Sequence, residues 1–312
     1  MAQAYKNYRM IEKLQLFPAP LAYARPSFVA GVVQMGMTAN PVENLTKAVA
    51  LLHQAADAGV QVVCLPELFR TPYFCQHLNP AYFDYAEPIT GETVTTLASV
   101  AKQRKIVVIA PFYERVDSRL TYNSAAVIDA DGAVLGIYRK MHIPHDPLFE
   151  EKYYFAAGDL GFKVFHTHYG NVGVLICWDQ WFPEAARATA LLGADIIFYP
   201  TAIGWQPSEK PEFGELQRSS WRIGQQAHGI HNRCVIAAAN RIGHEVLSGE
   251  GIEFFGNSFI SGCYGELLAS LDHTTEGVIT ATVNPATIEQ SRRWWPHFRD
   301  RRTDAYTGLL QR

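Results

Sequence analysis

Residues 172–184 have the sequence VGVLICWDQWFPE. Val172 to Ile176 is a short apolar run with β-branched residues, which predicts a buried strand. A proline is typical of the first turn of a helix, so we expect the chain to turn at Cys177 and to begin a helix near Phe182 or Pro183. A strand, a tight turn and a helix in this order form the repeating unit of an α/β fold.

The same alternation of strands and helices extends to both sides of this segment. Further strands are predicted at 28–33, 62–65, 106–110, 123–128, 134–138, 162–165, 196–199, 235–239, 258–261 and 278–283. Further helices are predicted at 41–58, 92–104 and 212–227, and Asn40 can cap the first of these. Asp131 and Gly132 favour a hairpin turn between two strands, so we expect antiparallel pairing within a mixed sheet.

No linker and no internal repeat divides this pattern, which predicts one domain over residues 28–291. An N-terminal arm, 1–27, precedes it, and a C-terminal tail, 292–312, follows it. The tail contains RRWWPHFRDRR at 292–302, in which five arginines accompany two tryptophans and a phenylalanine. Such a segment packs on its own domain or on a partner subunit, and we favour an interface. Stacking on RNA is a third interpretation, which the acidic chain disfavours.

The composition indicates a globular protein with a large apolar core. Of 312 residues, 48% are hydrophobic and 18% are charged, which argues against intrinsic disorder. The 27 Lys and Arg residues against 30 Asp and Glu give a net charge of −3, so nothing attracts the whole chain to nucleic acid or anionic lipid. Each apolar run is far shorter than the ~20 residues that span a bilayer. We therefore expect no nucleic-acid partner and no membrane span.

Cysteine usage favours a reducing compartment. The five cysteines are widely spaced, odd in number and without a CxxC pair, which argues against a disulfide framework and a thiolate metal site. The arm resembles a signal peptide only faintly, because Pro18 and Pro20 interrupt it. A cytoplasmic protein without a metal or another cofactor is expected.

Cys177 is the strongest candidate nucleophile. A thiol in a turn between a strand and a helix faces backbone N–H groups, which favour the thiolate and can bind a developing oxyanion. The alternative is a small buried apolar side chain, which is the usual state of an intracellular cysteine. Cys75 competes for the role because it lies in a loop shortly after Glu67, but it lacks the strand-to-helix context.

Three other polar residues, Glu67, Lys140 and Glu151, lie where a strand ends or in the loop beyond it. Ligands of open α/β sheets bind at the carboxyl ends of strands, so we expect these residues to converge with Cys177. Glu67 as the base with Lys140 as a positive charge is one arrangement. A Cys–His pair is the other, with four histidines as candidates: His142, His145, His228 and His231. For each residue alone, a surface salt bridge is the ordinary explanation.

Several segments resemble, in the usual order, the signature blocks of the nitrilase (carbon-nitrogen hydrolase) superfamily. These blocks are LPE at 65–67, RKMH at 139–142, ICWD at 176–179 and FPE at 182–184. The similarity extends from about Phe28 to Tyr306. Other blocks resemble the branch of this superfamily that acts on N-carbamoylputrescine: YFCQ at 73–76, EKYYF at 151–155, CWDQWFPE at 177–184, YPTAIG at 199–204, FGNSFI at 255–260 and FRDRR at 298–302.

This resemblance implies an α-β-β-α sandwich with mixed sheets and a metal-free catalytic centre. It implies that Glu67 takes the thiol proton while Cys177 attacks a ureido carbonyl. Lys140 and the backbone N–H of Trp178 are then expected to stabilise the oxyanion, while Glu151 orients Lys140 and the substrate nitrogen. The implied reaction converts an N-carbamoyl amine, N-carbamoylputrescine first of all, into the free amine, ammonia and carbon dioxide.

The residues after Cys177 favour a cationic substrate over an acidic one. A substrate carboxylate is best bound by the fork of an arginine, whereas this chain has Gln180 and Trp181 there. Aromatic side chains suit an alkyl chain that carries an ammonium. The predicted substrate-binding residues are Tyr73, Trp178, Trp181 and Trp205. In the loop 142–148, His145 and Leu148 replace the Asp and Gly more frequent in the branch, and a lost carboxylate would weaken ammonium binding.

Two other interpretations stay open. One is a different carbon-nitrogen hydrolase, such as an ω-amidase or a β-ureidopropionase-like enzyme. The other is a non-catalytic homologue that binds a small ligand in the same pocket. The resemblance also implies a homo-oligomer, either a dimer or a larger assembly.

Overall fold

The computed structural model describes residues 25–311. The strands are β1 (Phe28–Gly36), β2 (Val62–Cys64), β3 (Val107–Arg115), β4 (Thr121–Ile128), β5 (Val134–Arg139), β6 (Val164–His166), β7 (Asn171–Val174), β8 (Ile196–Pro200), β9 (Gly204–Trp205), β10 (Val235–Ala239), β11 (Arg241–Ile242), β12 (His244–Glu245), β13 (Ile252–Phe254), β14 (Phe259–Ser261), β15 (Leu267–Ser270) and β16 (Gly277–Val283).

The α-helices are α1 (Pro41–Asp57), α2 (Glu92–Arg104), α3 (Glu151–Tyr154), α4 (Pro183–Leu191), α5 (Lys210–Asn232) and α6 (Pro285–Trp294). Short 3-10 helices lie at Phe74–Gln76, Pro80–Tyr85, Cys177–Trp181, Thr303–Ala305 and Thr307–Leu310. None of the helices in residues 25–311 is both long and apolar enough to cross a membrane.

Two mixed sheets form the centre of the fold. The first has the order β11-β1-β2-β3-β4-β5, and β16 pairs antiparallel with β1. The second has the order β15-β14-β10-β8-β7-β6, with parallel pairing from β10 through β8 to β7. The antiparallel hairpin predicted at Asp131 and Gly132 is confirmed: it joins β4 to β5, and Gly132 has a φ of +88°.

Successive residues of each strand face two different apolar layers, as the two-residue period of a strand requires. In β1, Ala30 and Val32 belong to the core between the two sheets, together with Val174 of the second sheet. Val33 and Met35 instead join the core that contains residues of α1 and α2. On the far side, α4 and α5 pack on the second sheet. The predicted α-β-β-α sandwich is confirmed.

The chain around Cys177 differs from the predicted strand, turn and helix in one respect. The strand β7 already ends at Val174, and residues Cys177–Trp181 form a 3-10 helix before α4 begins at Pro183. The carboxylate of Asp179 accepts the backbone N–H of Ile176 at 2.9 Å. This contact closes the tight turn, which apolar periodicity alone does not predict.

The first strand and the last α-helix can be compared with the predicted division into arm, domain and tail. Residues 1–24 of the arm lie outside the described part of the chain, and β1 begins at Phe28. The predicted tail begins inside α6, which continues to Trp294. Beyond this helix, Phe298 lies 5.2 Å from the guanidinium of Arg187 and 5.4 Å from that of Arg292, measured from its ring centre. This part of the tail therefore packs on the domain itself.

Candidate active site

The four residues singled out in the sequence lie at the start of a helix or shortly after the end of a strand. Glu67 follows β2, Lys140 follows β5 directly, Cys177 follows β7, and Glu151 begins α3. β2 is parallel to β3, and β5 is antiparallel to β4, which is antiparallel to β3. β2 and β5 therefore point the same way, and their carboxyl ends bring Glu67 and Lys140 to one edge of the sheet.

These side chains form one buried cluster. Nζ of Lys140 donates to Oε1 of Glu67 at 2.8 Å and to Oε2 of Glu151 at 2.6 Å. Glu67, Lys140 and Glu151 have no exposed surface, and Cys177 is only 4% exposed. Such burial of charge is tolerated because the two carboxylates and the ammonium are paired and hydrogen-bonded.

The two carboxylates of the cluster are bound differently. Glu151 uses both oxygens, because Oε1 accepts the hydroxyl of Tyr73 at 2.7 Å while Oε2 accepts Lys140. Glu67 uses only Oε1, which accepts Nδ2 of Asn123 at 2.7 Å as well as Lys140. Its buried Oε2 makes no hydrogen bond of regular geometry to any described residue, and the thiol of Cys177 interacts with the Glu67 carboxyl without such geometry. Glu67 therefore keeps one oxygen available for an incoming proton.

The burial of the cluster perturbs its acid–base behaviour. Burial raises the pKa of Glu67, and the ammonium of Lys140 opposes this rise only in part. Burial, with the negative charge of Glu67, also raises the pKa of the Cys177 thiol. Burial alone would lower the pKa of Lys140, but Glu151 and Glu67 reverse that effect and raise it. The resting cluster thus holds a neutral thiol beside an ammonium and a carboxylate of raised basicity.

The turn that presents Cys177 is held by a buried carboxylate. Cys177 has a φ of +44°, in the left-handed region that L side chains adopt rarely. Besides the N–H of Ile176, Asp179 accepts the hydroxyl of Tyr138 at 2.7 Å and the backbone N–H of His142 at 3.0 Å. Because Tyr138 and His142 flank Lys140, Asp179 joins the segment of the ammonium to that of the thiol. The signature block at 176–179 contains Asp179, but the sequence pattern by itself indicates no role for this residue.

A cavity of about 450 Å³ opens above Cys177. Its walls are mainly apolar and aromatic, and its acidic residues are Asp146 and Glu209. The lining residues are Pro144, Asp146, Pro147, Phe149, Cys177, Trp178, Trp181, Ile203, Gly204, Gln206, Glu209, Leu216, Gln217, Ser220 and Phe255. No Lys, Arg or His is among these residues of the described chain. The cavity is large enough for a small organic molecule.

The predicted substrate-binding residues fall into two groups. Trp178 and Trp181 line the cavity. Tyr73 and Trp205 are not among its lining residues: Tyr73 is buried against Glu151, and the indole N–H of Trp205 donates to the carbonyl of Gly214 at 2.8 Å. Both therefore lie behind the cavity wall, where distant chain segments pack together, and their place could not be read from local sequence.

The alternative bases and nucleophile are engaged elsewhere. Nδ1 of His142 lies 2.7 Å from Oδ1 of Asp179, and Nδ1 of His228 lies 2.9 Å from the hydroxyl of Tyr199. Burial lowers the pKa of His228 to about 4. His145 pairs with Glu150 at 3.1 Å, and His231 is exposed. Cys75 is fully buried and is not among the residues that line the cavity, whereas Cys177 is. Glu67 is left as the buried base beside Cys177.

Comparison with known proteins agrees with this fold. Residues 29–293 match the family model described as carbon-nitrogen hydrolase. The chain is 43% identical over 283 residues to an N-carbamoylputrescine amidase of Solanum lycopersicum, which covers 89% of this chain and 93% of that protein. It is 41% identical over 282 residues to a citrullinase of Francisella tularensis, with 90% and 97% covered.

Among solved structures, a carbon-nitrogen hydrolase from Helicobacter pylori G27 superposes with a TM-score of 0.89 at 40% identity, covering 92% of this chain and 99% of that one. The protein belongs to the carbon-nitrogen hydrolase family and is an amidohydrolase of the nitrilase superfamily. The resemblance inferred from the signature blocks is confirmed.

Proposed function

We propose that this protein hydrolyses N-carbamoylputrescine to putrescine, ammonia and carbon dioxide. The observation that carries the proposal is the buried cluster of Glu67, Lys140 and Glu151 beside Cys177, which itself lines the cavity. Relatives at 41–43% identity bear the names N-carbamoylputrescine amidase and citrullinase, and both names describe the cleavage of a ureido group. We assign the catalytic roles to these four residues.

The first half of the reaction forms a covalent intermediate. The thiol proton of Cys177 passes to Glu67, whose Oε2 is unpaired, as the sulfur attacks the ureido carbonyl carbon. The carbonyl π electrons move to oxygen, and Lys140 with the N–H of Trp178 stabilises that charge. At the start of the 3-10 helix this N–H has no partner within the helix. The C–N bond then breaks, and the leaving nitrogen takes the proton from Glu67.

The second half regenerates the thiol. Water gives a proton to Glu67 and attacks the thioester carbonyl, and the sulfur leaves with that proton. The carbamic acid so formed loses carbon dioxide. In sum, one water and one ureido compound give one amine, one ammonia and one carbon dioxide. Glu151 keeps Lys140 in place through its 2.6 Å contact.

The charge of the cavity supports a monocationic substrate. Asp146 and Glu209 line it, and its described walls hold no cationic side chain. These carboxylates attract a distal ammonium and repel the carboxylate of N-carbamoyl-β-alanine, whereas citrulline, which carries both an ammonium and a carboxylate, should be attracted less than N-carbamoylputrescine. Asp146 also compensates for the acidic residue that is missing at His145. Gln180 is not among the residues that line the cavity, and its Oε1 accepts the indole N–H of Trp221 at 3.0 Å.

A substrate panel tests this proposal. We expect kcat/KM for N-carbamoylputrescine to exceed that for citrulline, N-carbamoyl-β-alanine and a simple ω-amide, with ammonia release as the assay. Cys177→Ala should abolish release. A wild-type protein that releases no ammonia from any of these compounds would be a binding homologue, and a preference for citrulline or N-carbamoyl-β-alanine over N-carbamoylputrescine would overturn the argument from cavity charge.

Two conservative substitutions isolate the charge effect. Asp146→Asn and Glu209→Gln should each raise KM for N-carbamoylputrescine about two- to fivefold, since exposed ion pairs contribute roughly 0.2–1 kcal/mol. The matched neutral substrate is N-butylurea, which lacks the ammonium, and its KM should not change in either variant. An equal loss for both substrates would show that the substitutions disturb the cavity itself.

We also propose a cytoplasmic homo-oligomer. All five cysteines are free and buried, which supports a reducing compartment. Exposed aromatic residues on the tail, Trp294 and Trp295, support an interface there.

A further inference from the structure

We propose that the buried ion pair of Arg241 and Glu245 is a positioning device that sets the geometry of the catalytic cluster. It acts through the loop that runs from Glu67 to Tyr73. The inference rests on the catalytic roles proposed above for Glu67 and Glu151. Arg241 lies in β11 and Glu245 in β12, so both come from a part of the chain far from that loop in sequence.

Arg241 binds two carbonyls within the loop. Its side chain is fully buried, and Nη2 donates to the carbonyl of Thr71 at 2.9 Å while Nη1 donates to that of Leu68 at 3.4 Å. Leu68 directly follows Glu67 and has a φ of +49°. A non-glycine residue holds this conformation only where surrounding contacts impose it. The fork of Arg241 supplies two such contacts, one at the carbonyl of Leu68 itself and one three residues later at that of Thr71.

Glu245 binds the end of the same loop. Oε1 accepts Nη2 of Arg241 at 2.6 Å, and Oε2 accepts the backbone N–H of Tyr73 at 2.6 Å. Tyr73 in turn donates its hydroxyl to Glu151 at 2.7 Å, and Glu151 accepts Lys140 at 2.6 Å. A continuous series of short hydrogen bonds therefore leads from the ion pair to the ammonium of the cluster.

The pair thus controls both carboxylates that hold Lys140. One end of the loop fixes the position of Glu67. The other end fixes the position of Tyr73, whose hydroxyl fixes that of Glu151. Because displacements of about 1 Å can cost on the order of 100-fold in rate, loss of either partner should slow catalysis without a contact to the substrate. These contacts make Tyr73 a positioning residue. We propose this positioning role in place of the substrate-binding role that the sequence predicts.

The test follows thiol activation without any substrate. Iodoacetamide alkylation of Cys177 is measured by peptide mass spectrometry from pH 6 to 10 in the wild type, Arg241→Met, Glu245→Ala, Glu245→Gln and Tyr73→Phe. We expect roughly 10- to 100-fold slower alkylation in Arg241→Met and Glu245→Ala, with a changed pH profile. Glu245→Gln should recover part of the rate, because its amide oxygen still accepts the N–H of Tyr73.

Steady-state kinetics with N-carbamoylputrescine give a second readout, in which kcat should fall by a similar factor while KM changes less than about threefold. The matched control is the exposed pair Glu289 and Arg293, which has the same four-residue spacing. Glu289→Gln and Arg293→Met should leave alkylation unchanged. Circular dichroism shows which variants are folded.

The outcomes are distinct. Folded Arg241→Met and Glu245→Ala proteins that alkylate at the wild-type rate and pH profile would overturn the proposal. If Arg241→Met does not fold, the alkylation rates of Glu245→Gln and Tyr73→Phe decide the positioning role. Each of these variants removes fewer contacts than Arg241→Met and leaves the guanidinium in place. If the wild type does not hydrolyse N-carbamoylputrescine, the proposed substrate fails, and the alkylation series still decides the positioning role.

Discussion

Two glutamates share one ammonium in the catalytic cluster, and their remaining contacts separate their roles. Glu151 has both oxygens occupied, by Tyr73 and Lys140, whereas Glu67 has one oxygen without a partner in the described structure. A carboxylate with both oxygens hydrogen-bonded orients its neighbours, and a carboxylate with one unpaired oxygen can accept a proton there. The hydrogen bonds therefore favour Glu67 as the base and Glu151 as the residue that orients Lys140.

The raised pKa of Glu67 predicts a shifted acid limb of activity. Glu67 must be ionised to accept the thiol proton, so kcat/KM should fall as the pH decreases through its pKa. Because burial raises that pKa, the fall should begin above the ordinary glutamate value of about 4.3. The pH dependence of kcat/KM for N-carbamoylputrescine measures it, and Glu150→Gln, at the neighbour of Glu151, is the control. An acid limb at or below the ordinary value would contradict the assignment.

At the scale of elements, the site depends on a turn that links two strand ends. Asp179 accepts hydrogen bonds from the segment before Cys177 and from both sides of Lys140. A fully buried carboxylate with several donors is costly to alter, because each donor loses an acceptor that solvent cannot replace. This arrangement explains how a residue with a left-handed φ is held in place.

Substitution of Asp179 tests the turn. Asp179→Asn keeps the shape of the side chain but turns one acceptor into a donor, which opposes the N–H of Ile176 or that of His142. We expect a loss of about 2–4 kcal/mol in the free energy of unfolding, measured by urea denaturation, together with a large fall in kcat. Asp300→Asn, at an exposed aspartate of the tail, should change neither. Wild-type stability in Asp179→Asn would show that the turn does not depend on this carboxylate.

Sequence patterns predict the elements better than their junctions. The helix after Asn40 and its cap are confirmed, since Oδ1 of Asn40 accepts the N–H of Val42 at 3.0 Å. Local rules apply there because donor and acceptor are two residues apart. The strands of two residues, such as β9 and β11, were not predicted, because they carry no periodic signal and exist only through pairing with distant strands.

At the scale of the whole molecule, the sandwich leaves apolar surface uncovered. Trp294 and Trp295 of the tail are 44% and 57% exposed, and Leu216 and Ile223 on α5 are 65% and 63% exposed. Exposed apolar residues that lie close together are typical of protein interfaces. Two surfaces therefore compete as contacts between copies of the chain.

Light scattering after size exclusion distinguishes them. We expect a mass that is a multiple of the chain mass for the wild type and a smaller assembly when residues 295–312 are removed. Leu216→Glu with Ile223→Glu is the comparison variant for the α5 surface. Dissociation by this pair of substitutions, with no effect of the truncation, would contradict the assignment of the tail. A monomeric wild type would contradict oligomerisation altogether.

The order of amino acids was enough to predict the alternation of strands and helices, the mixed sheets and the four side chains of the cluster. Apolar periodicity, helix caps and signature blocks are properties of neighbouring residues, so they can be recognised without coordinates. The contacts among those four side chains, the role of Tyr73 and the charge of the cavity follow from packing between distant segments, such as Thr71 and Arg241, which are 170 residues apart. No local pattern encodes them, because each depends on which sheet edge and which loop a residue meets after folding.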